Sequence, residues 1–319
     1  MLAIRRYEDK DRPIWDEFCR NSKNPLFMFE RNFMEYHKER FTDHSLLFYE
    51  DEELVALLPM NESDAALYSH AGLTYGGFIT NARMKQALMN ECFDGLVAYA
   101  QEKGFRSILY KAVPHIYHEQ PAEEDRYALF RLNAAIAKIE PATVVNLKAP
   151  LKMPKGRKAQ ISRAKREGVE VRELHDSADF HAFIDLENRV LGKYHNGAKA
   201  VHSGDEMYLL YSRFPDKIHL YGAFLQDELI AGSIIYEYGQ MIHTTYLAAS
   251  DIARNIGALD LTIATMLERF KETKLWFDFG ISTENGGQYM NEGLIAQKEG
   301  FGGRTNVYDT WLINLERNI

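Results

Sequence analysis

The C-terminal quarter of this 319-residue chain concentrates groups suited to proton transfer and anion stabilisation. Lys298 stands in the run Gln297-Lys-Glu-Gly-Phe-Gly-Gly303, one turn before Gly300. A fixed ammonium there can stabilise an oxyanion developing during acyl transfer, or it can position a donor phosphate. Beside Glu299 it reads equally well as a solvated surface charge. Three side chains are candidates for the general base. Asp278 lies on the expected strand Trp276–Gly280, where alternation puts Leu275, Phe277 and Phe279 on one face and Trp276 and Asp278 on the other. Glu284 follows Ser282-Thr283, which can also cap a helix and leave Glu284 complementing the positive helix end. His243, flanked by Ile242 and Thr244 on an apolar strand, is either a base or a satisfied structural histidine. Seven glycines fall between Gly280 and Gly303, a density that lets backbone approach a ligand and exceeds what turns alone require.

Other groups lie outside this quarter. Lys152, Lys155, Arg157, Lys158, Arg163, Lys165, Arg166 and Arg172 face only Glu167 and Glu170 across their window. Such a run recognises phosphate or RNA, or forms a solvated helix face; Arg157 and Lys158 are the residues expected to meet phosphate. Tyr75-Gly-Gly77 and Tyr117 read as substrate-lining positions between the two halves. His115 and His118 have an i, i+3 spacing but no third Cys or His nearby, so no metal site is expected.

These groups must be carried by two successive units. Residues 1–150 hold 18 Lys+Arg against 23 Asp+Glu, and 151–319 hold 20 against 23, so neither half is basic overall. The first half reads as short helices around Trp15 and Phe29–Tyr36, strand-like runs at Ser45–Tyr49, Leu54–Met60 and Ala66–Ser69, a helix over Ala82–Lys103 closed by Gly104, a strand at Arg106–Lys111 and a helix over Glu123–Asn133. The second half repeats the plan. A strand at Val169–Leu174 leads to helices over Ala178–Leu191 and Gly204–Arg213 and to strands at Ile218–Leu225, Leu229–Tyr238 and Met241–Ala248. A helix over Gly257–Lys271 keeps Leu259, Ile263, Met266, Leu267 and Phe270 on one stripe, and strands follow at Trp276–Gly280 and Thr305–Asn314. Duplication of one α/β unit, with domains 1–150 and 151–319, is the expected organisation.

That plan resembles tandem GNAT-like domains, as in the FemAB-like (FemABX) acyltransferases and peptidyltransferases. The resemblance is carried by Phe277-Asp-Phe-Gly280, Asn291-Glu-Gly-Leu294 and the Lys298-Glu-Gly-Phe-Gly-Gly303 run, although Gln297 replaces an aromatic, and by the basic entry Arg157-Lys158 to Val169. It implies an N-acyltransferase moving an aminoacyl or acyl group from an activated donor, aminoacyl-tRNA or acyl-CoA, to an amine on a cell-wall precursor or amino sugar. Lys298 is then the oxyanion stabiliser, and Asn291 joins Arg157, Lys158, Tyr75 and Tyr117 as substrate-binding. The resemblance also makes Arg254, Asn255, Gly257 and Ala258 a helix start that holds a coenzyme A pyrophosphate, although Leu259 departs from the small residue that pattern uses. A conventional acetyl-CoA-dependent enzyme and a non-catalytic binding module are the alternatives. No tightly bound cofactor is expected; the acceptor is a small molecule or nucleotide-linked, and tRNA is a possible partner.

Composition sets the outer bounds. Hydrophobic residues at 46% and charged residues at 26% exclude a disordered or fibrous chain. A net charge of -8 argues against a global basic field for nucleic acid. Two cysteines, no apolar run near ~18 residues and a charged N-terminus lead to the expectation of a cytoplasmic protein.

Overall fold

The computed structural model describes residues 1–194 and 197–316, with the side chain of Tyr194 excluded. The chain divides into two compact units. One comprises Met1–Pro141, Asn285–Tyr289 and Val307–Ile319, whose last three residues lie outside the described set; the other comprises Ala142–Glu284 and Met290–Asn306.

In the first unit, β1 (Leu2–Arg6), β2 (Leu46–Glu50) and β3 (Glu53–Leu58) form an antiparallel meander, with α1 (Arg12–Arg20) between the first two. The turn Asp51-Glu52 between β2 and β3 has both residues at positive φ, the geometry a tight hairpin needs. β4 (Ala66–Tyr68) pairs in parallel with β5 (Ser107–Lys111), and α2 (Gln86–Glu102) makes the crossover between them, as parallel pairing requires. Helix α3 (Glu124–Arg131) follows. One face of α2 (Leu88, Met89, Cys92, Phe93, Leu96) is buried with Leu46, Phe48, Ile108 and Tyr110 in this unit's core. Strand β6 (Ala135–Asn146) then carries the chain into the second unit.

The second unit opens with α4 (Lys155–Arg166), β7 (Glu170–Leu174), α5 (Ser177–Tyr194) and α6 (Gly204–Arg213). Ser203 caps α6 through a reciprocal box with Glu206, so its start is encoded locally. Strands β8 (Ile218–Leu225), β9 (Glu228–Glu237) and β10 (Met241–Ala249) continue the antiparallel sheet from β7. After β10 come α7 (Asp251–Ile256), capped by Ser250, and α8 (Ala258–Phe270). The chain returns as β11 (Trp276–Ile281), which pairs in parallel with β10 and in antiparallel with the end of β6. Helix α9 (Glu292–Glu299) and strand β12 (Arg304–Asn314) complete the chain; residues 310–314 of β12 pair with β5 in the first unit.

The sheet of the second unit has two differently dressed faces. Ala231, Ile235, Ile242, Phe277 and Phe279 pack with Leu261, Ile263, Met266 and Phe270 of α8. The opposite face carries α5: a Cβ placed on Gly232 would meet the Phe183 ring at 3.0 Å. His243, Tyr246 and Asp278 are on this α5 face. Their partners fix this, since His243 pairs with Tyr236 and Asp278, and Tyr246 with Ile234, while Ile235 belongs to the α8 side.

Candidate active site

β10 and β11 share only a short parallel register: Met241 with Trp276, Ile242 with Phe277, His243 with Asp278. Beyond that point both strands leave it. β10 bulges, with Ile234 opposite Tyr246 and Ile235 opposite Thr244, so Thr245 is the extra residue. β11 shifts register against β6 between Asp278 and Ile281, and Gly280 adopts φ +68. The two strands therefore diverge immediately after the His243–Asp278 pair. Among the described residues, the hydroxyls of Thr245, the bulge residue, and Ser282 on these departing segments are buried with no hydrogen-bond partner; that of Thr244, opposite Ile235, is likewise unpartnered but on the α8 face. Buried polar atoms are normally satisfied, so the orphaned Thr245 and Ser282 hydroxyls make the point where the strands part a candidate site.

A chain of contacts holds the vertex. Asp278 is fully buried; its Oδ1 accepts from the Gly280 amide at 2.7 Å and its Oδ2 lies 3.5 Å from Nδ1 of His243. Lys298, on α9, donates from Nζ to the carbonyls of Gly280 (3.1 Å) and Ile281 (2.6 Å). Burial lowers its pKa to about 8, and the Asp278 carboxylate works against that shift. Lys298, Asp278 and His243 are thus brought together. Glu284 is not: it is exposed and accepts from Nδ2 of Asn291 at 3.0 Å, while Asn291 caps α9 by accepting from the Leu294 amide. Thr283–Glu284 is a two-residue strand.

The segment expected to hold pyrophosphate is buried at its helix start. Gly257, at φ +80, ends α7 and starts α8, and a Cβ there would lie 2.6 Å from the Gln160 carbonyl of α4. Only glycine fits this left-handed position under so close a neighbour. Gly257, Ala258, Leu259 and Asp260 are all buried, whereas Arg254 and Asn255 are exposed. The Asp260 carboxylate occupies the first turn of α8 and is paired with Arg157. Burial raises the Asp260 pKa and Arg157 opposes the rise. Arg157 also donates to the Gln297 carbonyl at 3.0 Å and stacks over Phe301 at 4.5 Å. It is therefore a structural strut joining α4, α8 and α9, while Lys158 is exposed. Tyr75 and Tyr117 are buried within the first unit, with ring centroids 4.6 Å apart, and the Tyr117 and Tyr308 hydroxyls are 3.1 Å apart. Among the described residues, no three His, Cys, Asp or Glu side chains form a metal-ligating group, and no helix is long and apolar enough to cross a membrane.

One residue on the α5 face was not among the sequence candidates. Glu187 is 7% exposed, its Oε2 has no hydrogen-bond partner, and burial raises its pKa to about 7 against the opposing charge of Arg254. Its signal was present in the sequence: Phe180, Phe183, Ile184 and Val190 are buried along α5, and Glu187 interrupts their stripe one turn after Phe183.

Comparison with known proteins places these features. Residues 155–289 match the family model described as an acetyltransferase (GNAT) domain. The whole fold is similar to the crystal structure of FemX (TM-score 0.68, 11% identity, 98% of this chain and 97% of that one). It is also similar to L-PGS from Bacillus licheniformis (0.65, 14%, 98% and 93%) and to a tandem GNAT protein from the clavulanic acid biosynthesis pathway (0.56, 10%, 99% and 99%). No curated protein matches. At these identities the structural likenesses establish a shared tandem fold.

Proposed function

We propose a specific chemistry for this chain from the premise that it is a GNAT-type acyltransferase of tandem GNAT fold, with the acetyltransferase domain at residues 155–289. It moves an aminoacyl group from an activated ester to an amine on a cell-wall precursor or amino sugar. The observation that carries the reading is the His243–Asp278 pair at the point where β10 and β11 separate. A base oriented by a buried carboxylate beside a polar opening is the arrangement amine attack on an acyl carbon calls for. His243 takes the proton that the attacking nitrogen loses as its bond to the acyl carbon forms. Asp278 holds the imidazole, and the Gly280 amide holds Asp278. Lys298 fixes Gly280 from the other side and places an ammonium near the developing oxyanion. When the carbon–oxygen bond of the ester breaks, the leaving alkoxide takes the proton that His243 accepted from the amine, which returns the imidazole to its neutral form.

The closed start of α8 supports a donor other than coenzyme A. A pyrophosphate needs free amides at a helix N-terminus, and here Asp260, Arg157 and the Gln160 carbonyl occupy that position. The exposed Lys155, Lys158, Arg163, Lys165 and Arg166 of α4 offer a basic face suited to an RNA-linked donor.

The test is transfer from bulk aminoacyl-tRNA, and separately from acetyl-CoA, to glucosamine and a nucleotide-linked amino sugar, read as the mass of a new amide. Amide is expected from the tRNA-borne donor, and His243→Gln should reduce its rate by about 100-fold or more with unchanged fold. Amide from acetyl-CoA, with a rise in Tm on adding millimolar coenzyme A, would make this a conventional acetyltransferase. Absence of amide with either donor would leave a binding module.

A further inference from the structure

We propose that Glu187 is the group that receives the acceptor, binding its amine as the ammonium ion, so that this protein selects cationic primary amines over neutral hydroxyl compounds of the same shape. The inference rests on the acyl-transfer reading for its biological meaning, but the ammonium site stands on its own geometry.

Glu187 projects from α5 one turn after Phe183, and Phe183 packs on Gly232 of β9. Its carboxyl is therefore directed at the sheet face that carries Tyr246, His243 and Asp278. Tyr246 is its neighbour there: the carboxylate helps burial to push the phenol up to about 12, so the tyrosine stays neutral. The Tyr246 hydroxyl is engaged by His202, with Nδ1 at 2.6 Å and the backbone amide at 3.3 Å. Among the described residues, the charged and titratable groups of this face are Arg254 from α7, His243 and Tyr246 from β10, Asp278 from β11, His202 from the loop before α6 and Glu206 from α6. Arg254 gives its Nε to the Ala249 carbonyl, and its charge opposes the rise in the Glu187 pKa.

A carboxyl this buried ordinarily has a cation or several donors in contact, because removing it from water uncompensated is costly. Glu187 has neither at Oε2. An incoming ammonium supplies both the charge and the donors. A carboxylate whose proton affinity lies about neutrality can also accept one proton from that ammonium, leaving a neutral amine and a carboxylic acid. A neutral nitrogen with a free lone pair is the form that attacks an acyl carbon.

The probe is propylammonium chloride, with 1-propanol and sodium chloride as controls, titrated into the intact chain labelled with ¹³C at glutamate carboxyls. The Glu187 resonance is identified by its absence from Glu187→Gln. Saturable movement of that resonance with propylammonium, and none with either control, is the expected result. No movement with propylammonium, or equal movement with 1-propanol, overturns the proposal. In the transfer assay Glu187→Gln should raise KM for the amine by about tenfold or more, with Tm unchanged or higher because an uncompensated buried charge has been removed. A lower Tm with an unaltered KM would make Glu187 structural and also overturn it. If no donor supports transfer yet the resonance moves, the acyltransfer reading fails and the ammonium site survives.

Discussion

Each unit of the molecule sets a lysine against backbone carbonyls, half-buried Lys111 in the first and buried Lys298 in the second, and the two differ in what those carbonyls hold. In the first unit Lys111, at the end of β5, donates to the carbonyl of Leu73 and lies 3.5 Å from that of Ala71. In the second, Lys298 donates to Gly280 and Ile281. Burial lowers both lysines to about 8. The backbone of Lys111 is tied into a packed segment, its amide donating to Ser69 Oγ and its carbonyl accepting from the Gly76 amide. Tyr75, Tyr117 and Tyr308 pack on one another, and a Cβ on Gly76 would lie only 2.1 Å from the Ser69 carbonyl. The nearby His70 is kept neutral by burial, its pKa lowered to about 3. Around Lys298 the strands part, and a histidine sits beside a carboxylate. One device, an ammonium clamping carbonyls, braces a packed loop in the first unit and the parting strands beside His243 and Asp278 in the second.

Replacing the two lysines in turn breaks that comparison most sharply. Lys298→Met should lower kcat by about 100-fold while leaving donor affinity within a few-fold, since the group acts on the developing charge and on the Gly280 carbonyl. Lys111→Met should leave kcat within a few-fold and lower Tm. Steady-state kinetics and melting on both variants decide it; equal kcat losses would mean the first unit also carries chemistry.

The pH dependence follows with its sign fixed. Each lysine titrates near 8 in the folded state and near 10.5 unfolded. Between those values the unfolded chain binds more protons, so stability rises with pH across that window. Below 8 the full cost of the buried charge is present. Either methionine variant should flatten this rise, which melting at pH 7.5, 9 and 10.5 measures. Turnover runs the other way: loss of the Lys298 ammonium should give kcat/KM an alkaline limb near pH 8 in the wild type and in Lys111→Met alike.

Much of this arrangement is legible in the sequence, for identifiable reasons. Gly204–Arg213 and Ile218–Leu225 fall where capping and alternation put them, because Ser203 and the apolar run are local signals. Gly104 ends α2 at φ +81, as a glycine closing a helix should. The Phe277/Phe279 face and the opposite Asp278 face follow from strand alternation. Other elements leave no such mark. β6 runs twelve residues from Ala135, but its first half is largely exposed and Pro141 interrupts it, so only Thr143–Leu147 reads as extended. β1 is missed because its five residues alternate too briefly. α7 is six residues with one buried side chain, too short for a periodicity. At the site, residue type pointed to Lys298, Asp278 and His243. The burial of the α8 start could not be foreseen, because it depends on α4 lying across it, a contact between residues a hundred positions apart.

The smallest effect sharpens the contrast at the level of single hydroxyls. Tyr117 and Tyr308 bond each other in a buried cluster, so Tyr117→Phe removes that bond and should destabilise by about 1 kcal/mol. Thr244, equally buried, has a hydroxyl with no hydrogen-bond partner. Thr244→Val keeps its shape and removes a group whose desolvation nothing offsets, so denaturant unfolding should find it neutral or slightly more stable than the wild type. A loss of stability in Thr244→Val matching that in Tyr117→Phe would mean the hydroxyl is satisfied in solution by a structural partner on the α8 face, and the core beneath β10 would then hold its polar groups as the first unit does.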